Sequence, residues 1–416
     1  MNDKISTQKC TYCNQSKILN FYKTKLPLDS LPISKKEKNK LLIEKNKSLF
    51  YIKTLHYKYC MNCGLIFSDI STEESKTINL FYRRFHNQVS PLINNIAITE
   101  INDYIENLNP FLPKIKNLLE IGCFDGYLLY ELKKRGIKVL GIDPSGVGAK
   151  IAKGHKIKVI NDFFTSSIFN KKKFDAIISR NVIEHVKHPF DFLKEQIKIL
   201  NKSGFISFET PDADWLILKG NGEAFHSQHQ ILFTKKFIIR LLKDLDIKYA
   251  YIKELDHRII IMFSLYCLDK LVPLCSLKEK IEIESLELKN KLMAFQEKVD
   301  TKANIIKQLL FKYYKKHKIA IWGAGSFTGN LLSRVEGLSK VEYIVDSDPK
   351  KQYMQFLHSK IPIVSSRYFY KNSTNVLFIF SQFADEIITQ IQQKNFSNKP
   401  KYIYRFFPKF QMIKQK

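Results

Sequence analysis

The stretch "LLEIGCFDGYLLYELKKRGIKVLGIDPS" (118–145) constrains the fold more than any other part of the chain. An apolar run leads into a glycine turn, an amphipathic helix follows, and a second apolar run ends on an acid. Strand, crossover helix and strand in that order place two parallel strands in one sheet. The alternation continues with "IKVIN" as a third strand, "FDAIISRN" as a fourth and "GFISFETPD" as a fifth. "FDFLKEQIKILNKSG" is the expected helix between the last two, with Gly204 as its C-cap. The fold class expected is α/β, a central Rossmann-like parallel sheet. A second segment of the same layout, "IAIWGAGSFTGNLLSRVEGLSKVEYIVDSDP" (319–349), predicts another Rossmann-like unit, with further strands near "IPIVSS" and "NVLFIFS".

Between the two units, residues 276–316 contain neither Gly nor Pro. Leu288, Leu292, Phe295, Val299, Ala303, Ile306, Leu310 and Tyr313 recur there at three- and four-residue steps. That spacing predicts one long amphipathic helix, read as a connector, with a dimerisation coiled coil as the alternative. Residues 76–116 read as helical with a polar break. The organisation expected is 1–75, a small zinc-binding domain; 76–265, the first sheet; 266–317, the connecting helix; and 318–416, the C-terminal unit.

The zinc reading rests on two C-x-x-C pairs, "CTYC" (Cys10, Cys13) and "CMNC" (Cys60, Cys63), among seven cysteines in the chain. Each pair suits a tight knuckle, and four thiolates complete a tetrahedron. Gly64, directly after the second pair, suits a left-handed residue. Four sulfur ligands leave no open position, so the expected zinc is structural.

The chain has 416 residues, a net charge of +28 and 44% hydrophobic residues. No run reaches the roughly 18–20 apolar residues of a membrane-spanning helix, and "MNDKISTQKC" has no apolar signal core. The expectation is a soluble cytoplasmic protein without a membrane partner. The lysines are spread along the chain beside abundant Asn and Ile, as codon bias in an AT-rich genome would leave them. The charge therefore reads as a solvated surface rather than a nucleic-acid footprint. A positive cleft would favour a substrate carrying phosphates.

The two glycine turns ask for different ligands. Dinucleotides need G-x-G-x-x-G, which brings backbone amides to a pyrophosphate. The first turn, Glu120-Ile-Gly122-Cys-Phe-Asp125-Gly126, lacks the G-x-G step and carries two carboxylates. Carboxylates repel a pyrophosphate and suit a cationic amine and sulfonium, which describes S-adenosylmethionine. Asp143 is placed for a ribose diol, and Asp162 for an adenine amine. Cys123, Pro144, Phe163 and Asn181 complete the expected cofactor set. Glu120 and Asp125 as ordinary loop acids is the competing reading. The second turn, Gly323-Ala-Gly325-Ser-Phe-Thr328-Gly329, is uncharged, and Asp346 ends the next strand. It departs from the dinucleotide fingerprint by one residue. NAD, a nucleotide moiety of the substrate, and no ligand at all remain open there.

Glu120, Gly122, Gly126, Asp143 and the segment Asn181, Val182, Glu184, His185 together resemble class I methyltransferases over roughly 118–240. With the two cysteine knuckles, "GAGSFTG", "VDSDPKKQ" and "IPI", nearly the whole chain resembles the zinc-containing sugar C-methyltransferases that act on nucleotide-linked keto-deoxysugars. The resemblance implies a small-molecule substrate, a nucleotide-linked sugar, positioned by the outer domains. It also implies catalytic residues: His185 on the strand-four loop, His229 after strand five, and Tyr82 as a further active-site tyrosine. The family's tyrosine-x-glutamate-histidine pattern is replaced here by His226, Ser227, Gln228 and His229.

That replacement bears on the chemistry. Methyl transfer needs positioning and a base for the nucleophile. Carbon methylation requires loss of a proton beside a ketone, whereas a hydroxyl asks less of its base. Losing a carboxylate weakens the carbon case, so C- and O-methylation both stand. The expectation is an S-adenosylmethionine-dependent methyltransferase acting on a sugar. The alternatives are an RNA-modifying methyltransferase with a structural zinc and a degenerate, non-enzymatic binding module.

Overall fold

The computed structural model describes residues 5–6, 8–27, 31–43, 52–85, 98–222, 224–372, 374–381, 383–397, 399–406 and 410–414. The chain divides into two compact units. The first holds Met1–Lys23, His56–Ser71 and Asn79–Gln296; the second holds Thr24–Leu55, Thr72–Ile78 and Glu297–Lys416.

The first unit is built on an eight-stranded sheet. Its strands are β1 (Asn117–Ile121), β2 (Lys138–Ile142), β3 (Val159–Ile160), β4 (Phe174–Arg180), β5 (Leu200–Pro211), β6 (Tyr249–Leu255), β7 (Arg258–Ser264) and β8 (Val272–Pro273). They lie in the order β8-β6-β7-β5-β4-β1-β2-β3. Strands β1–β5 are parallel; β7 runs antiparallel between β5 and β6. The chain starts in the middle at β1 and turns back there, so the ends of β1 and β4 open a crevice where α/β sheets bind ligands. Apolar residues fill both faces. Leu119, Ile121, Ile177 and Phe208 lie in one buried cluster, and Leu118, Ala176, Ile178 and Ile260 in the other.

Helix α1 (Thr72–Phe85) carries Tyr82 near its end, and Ile98–Leu108 is the next described helix. Residues 86–97, inside the stretch expected to be helical with a polar break, lie outside the described residues. Helix α2 (Tyr127–Lys134) joins β1 to β2, and α3 (Pro189–Lys198) joins β4 to β5. One expectation fails here: Gly204 does not cap α3. That helix closes at Ile199, and Gly204 sits inside β5. A Cβ at Gly204 would lie 2.7 Å from the carbonyl oxygen of Asp175. The glycine serves a close approach of neighbouring strands, a need that a one-dimensional pattern cannot separate from helix termination.

A second sheet holds the cysteine segment. Its strands lie in the order Ile5–Ser6, Ile18–Pro27, Ile52–Cys60, Ile66–Ser68, Ile231–Leu232. The last of these comes from far along the chain and pairs antiparallel with Ile66–Ser68. Cys10, Cys60, Cys63, Leu65 and Phe67 share a buried cluster with Leu119, Phe208 and Phe233.

Helix α4 (Leu274–Tyr313) is continuous over 40 residues, close to the expected span. Leu288, Leu292, Phe295, Val299, Ile306, Leu310 and Tyr313 are all buried. Phe295 packs against Phe21, Tyr22 and Phe225. Beyond it, the second unit has strands β9 (Ile319–Trp322), β10 (Tyr343–Val345), β11 (Ile363–Val364), β12 (Val376–Ile379), β13 (Tyr402–Arg405) and β14 (Gln411–Lys414). The order is β11-β10-β9-β12-β13-β14, parallel except for β14. Among the described residues no helix is long and apolar enough to cross a membrane.

Candidate active site

The turn after β1 has the backbone of a ligand cradle. Gly122 and Gly126 both have φ +73, and Phe124 between them has φ 42. A Cβ on Gly122 would lie 2.3 Å from Val182 Cγ2, so both conformation and space demand glycine. Asp125 Oδ1 accepts the Tyr127 amide at 3.0 Å. Asp143, ending β2, accepts the Phe124 amide at 2.8 Å and the Ser145 amide at 2.7 Å, so this acid also staples the turn. Pro144 lies between the two residues of that staple, and Cys123 is buried under the turn.

Glu120 is the buried acid facing the turn. Its Oε2 meets no hydrogen-bond partner among the described residues. Burial pushes its carboxyl up to about 8, with Arg180 pulling down and Asp125 and Asp143 pushing up. An orphaned buried carboxylate oxygen beside two further acids fits a cationic ligand and opposes a pyrophosphate. S-adenosylmethionine, with its ammonium and sulfonium, fits these residues. Asn181 follows β4 at φ 51 and donates its amide to the Glu209 carbonyl at 2.9 Å. Asp162 and Phe163 both meet Arg83 of α1. The guanidinium is 2.8 Å from the Asp162 carboxylate and 4.7 Å from the Phe163 ring centroid.

Arg180 and the ion network beneath it escaped the sequence reading. Glu209 takes Arg180 on one oxygen, at 2.8 Å, and Arg258 on the other, at 3.2 Å. Arg258 also reaches Asp103 at 3.5 Å, and of the two cations it is Arg180 that pulls Glu120 down.

At the end of β4 and in the loop before Ile231, the five expected catalytic residues come together. The His185 and His229 ring centroids are 4.8 Å apart, and those of His226 and His229 are 3.8 Å apart. His185 Nδ1 lies 2.9 Å from the Gln228 carbonyl and 3.2 Å from the Tyr82 hydroxyl. Tyr82 donates to Gln228 Oε1 at 3.3 Å. His229 Nδ1 lies 2.7 Å from the Ala224 carbonyl. Burial holds all three imidazoles below the ordinary histidine value: His185 at about 4, His226 at about 3, and His229 well below it. They are therefore neutral at neutral pH.

Glu184 is the residue that sequence reasoning passed over, although it stands beside His185 in the N-V-x-E-H segment. It is fully buried, accepts Thr210 Oγ1 at 3.2 Å and lies 3.9 Å from His229 Nε2. Burial raises its carboxyl to about 8.

The cysteine segment holds this loop from behind. Tyr57 donates to the His226 carbonyl at 2.8 Å, the Ser68 amide to the Gln230 carbonyl at 3.0 Å, and Thr234 Oγ1 to the Gly64 carbonyl at 2.8 Å. Cys10, Cys13, Cys60 and Cys63 form one four-sulfur group. The Cys10–Cys63 and Cys13–Cys60 sulfurs are 3.7 and 3.5 Å apart. A tetrahedral zinc with bonds of about 2.3 Å has edges of about 3.8 Å, so the donor set fits zinc. Gly64 takes φ +83, as its knuckle requires. Hydrogen bonding within the group drives the thiols apart, Cys60 down and Cys10 up, a conflict that a divalent cation removes.

The second unit repeats the acid staple. Asp346 accepts the Ala324 amide at 2.8 Å and the Asp348 amide at 2.9 Å, and Lys351 Nζ lies 3.3 Å away. Gly323 has φ +114, and a Cβ there would lie 2.5 Å from the Phe380 carbonyl oxygen. Asp346 is thus committed to its own turn.

Residues 94–250 match the family model of a methyltransferase domain, and residues 275–406 match that of a C-methyltransferase C-terminal domain. A ubiquinone biosynthesis O-methyltransferase of Pelagibacter ubique is 35% identical over 135 residues, 31% of this chain and 56% of that protein. The Bradyrhizobium diazoefficiens protein of the same name is 30% identical over 103 residues, 24% of this chain and 41% of its own. The chain thus spans about half the length of the curated relatives it matches. Magnesium protoporphyrin IX methyltransferase from Synechocystis aligns at 15% identity with a TM-score of 0.33, over 43% of this chain and 89% of that one. These likenesses together indicate an S-adenosylmethionine-dependent methyltransferase, with residues 275–406 similar to a C-methyltransferase C-terminal domain.

Proposed function

We propose that the protein transfers a methyl group from S-adenosylmethionine to a sugar, nucleotide-linked, at a carbon beside a ketone. The observation that carries the reading is the convergence of Tyr82, His185, His226, Gln228 and His229 on one cluster, reached from the β4 end of the cofactor crevice. S-adenosylmethionine, when bound, supplies a methyl group on a sulfonium, an electrophile that needs no activation by the protein.

The chain's own residues do the rest. Glu120 and Asp125 hold the cationic end of the cofactor, and Asp143 keeps the turn closed over it. The neutral imidazoles offer lone pairs, and one of them receives the acceptor's proton. Gln228 is neutral and takes no proton; with Tyr82 it fixes the His185 ring. The two cysteine pairs hold zinc and set the loop that carries His226 and His229.

The reading is tested by incubating the purified protein with S-adenosylmethionine and a panel of nucleotide-linked 4-keto sugars, ordinary nucleotide sugars, a ubiquinone precursor and transcribed tRNA. Mass spectrometry reports methylated product, and deuterium uptake beside the ketone reports proton abstraction without the cofactor. Product from a keto sugar with exchange is expected. The name of the curated relatives favours a second reading, oxygen as acceptor. Product from an ordinary sugar or the ubiquinone precursor, without exchange, would establish it. Product on tRNA alone would overturn both.

A further inference from the structure

Three donor atoms, one each from Glu184, His185 and His229, lie within 4.8 Å of one another. Their hydrogen bonding is unbalanced in a specific way. The Ala224 carbonyl only accepts, so the neutral His229 ring carries its proton on Nδ1 and keeps a lone pair on Nε2. The Gln228 carbonyl favours the same tautomer on His185, whose ring also meets the backbone carbonyl of Asn181. Glu184 Oε2 takes the Thr210 hydroxyl, while Glu184 Oε1, equally buried, meets no partner among the described residues. His229 Nε2 and Glu184 Oε1 face each other at 3.9 Å, too far for a direct hydrogen bond.

With Glu184 ionised, these are two buried acceptors facing each other, and a cation between them would take the place of the proton that burial otherwise keeps on the carboxyl. A backbone carbonyl on the far nitrogen of each imidazole is the outer support that orients a metal-binding histidine. The separation of 3.9 Å exceeds by a few tenths of an ångström the edge of about 3.4 Å for a tetrahedron with bonds near 2.1 Å. The three donors lie within 4.8 Å of one another, so His185 as well as Glu184 and His229 must draw in to share an ion.

We propose that Glu184, His185 and His229 bind a divalent first-row transition-metal ion, separate from the four-cysteine zinc, which takes the oxygen of the methyl acceptor. Two imidazoles and one carboxylate suit zinc, iron or cobalt rather than magnesium, and leave positions open for a substrate oxygen. Bound there, a ketone or hydroxyl gives up its proton more readily. His226, whose Nδ1 has no partner among the described residues, is the ring left to receive it. The role of the ion rests on the proposed methylation; its binding does not.

The test uses the full chain as purified, with zinc retained at the cysteines. Elemental analysis counts metal per chain, and the protein is then titrated with Co2+ alone and followed by calorimetry and visible absorption. The expected result is either two metals per chain, or one metal and one further equivalent of Co2+ without a thiolate charge-transfer band. In Glu184→Gln and His229→Ala the second metal is lost, or Co2+ binds at least 100-fold more weakly, while the cysteine zinc stays. Retained cofactor binding shows that these variants fold. One metal per chain with no Co2+ uptake, or uptake unchanged in both variants, overturns the proposal. Metal binding without methylation of any panel member would instead fault the substrate assignment.

Discussion

Glu120 couples cofactor binding to pH, and the effect can be sized. In the free protein burial holds its carboxyl at about 8, so below that pH it carries a proton. The ammonium of S-adenosylmethionine favours the ionised form, so binding below pH 8 expels the proton. By linkage, affinity then rises with pH by up to tenfold per unit, or about 1.4 kcal/mol. Between pH 6 and pH 8 Glu120 alone gives about 50-fold, and partial loss of the proton on the ligand's amine trims the net gain to about 20-fold, roughly 1.8 kcal/mol. Above pH 8 Glu120 is already ionised and the ligand's own amine, near 7.7–8.0, loses its proton, so affinity falls again. Isothermal titration in two buffers of different ionisation enthalpy measures both terms. About one proton should be released per ligand near pH 6.5, and Glu120→Gln should abolish the release and flatten the acid limb. A dissociation constant that changes less than threefold from pH 6 to pH 8, or an acid limb that survives in Glu120→Gln, would refute the reasoning.

Gly122→Ala forces a left-handed residue and drives a methyl to 2.3 Å from Val182 Cγ2. Strain and overpacking together should cost about 2–4 kcal/mol, read as a lowered denaturation midpoint and loss of cofactor binding in a dialysis assay. Cys60→Ser should lose zinc and, with it, protection of the amides from 225 to 232 in hydrogen exchange, because that loop hangs on the cysteine segment. Unchanged protection would show that the loop stands without the metal. Tyr82→Phe removes the hydrogen bond to Gln228 and the hydroxyl beside His185. It should lower kcat/KM about tenfold and leave cofactor affinity unchanged; equal loss in both would place Tyr82 at the cofactor instead.

What could be read in advance was what the backbone imposes on residue choice. Gly122, Gly126 and Gly64 sit at positive φ, the acids end their strands, and the α4 stripe keeps its period, because each requirement is local. Gly204 misled because a helix end and a tight strand contact ask for the same absent side chain. Ile66–Ser68 pairing with Ile231–Leu232 left no local trace, since neither segment is patterned by its partner's identity. Glu184 and Arg180 were in plain view as letters. Their importance lies in burial and in what they face, and only the packed chain supplies either.

The pairing of Ile66–Ser68 with Ile231–Leu232 also orders events during synthesis. A ribosome delivers the cysteine knuckles first, and their outer strand then waits with open amides and carbonyls, a template for any stray extended chain. Strands β1–β5 emerge and assemble before the missing partner arrives. A nascent chain can therefore bring its four cysteines and its cofactor turn together while His226 and His229 are still inside the ribosome. The catalytic loop arrives together with the segment that seals the waiting edge.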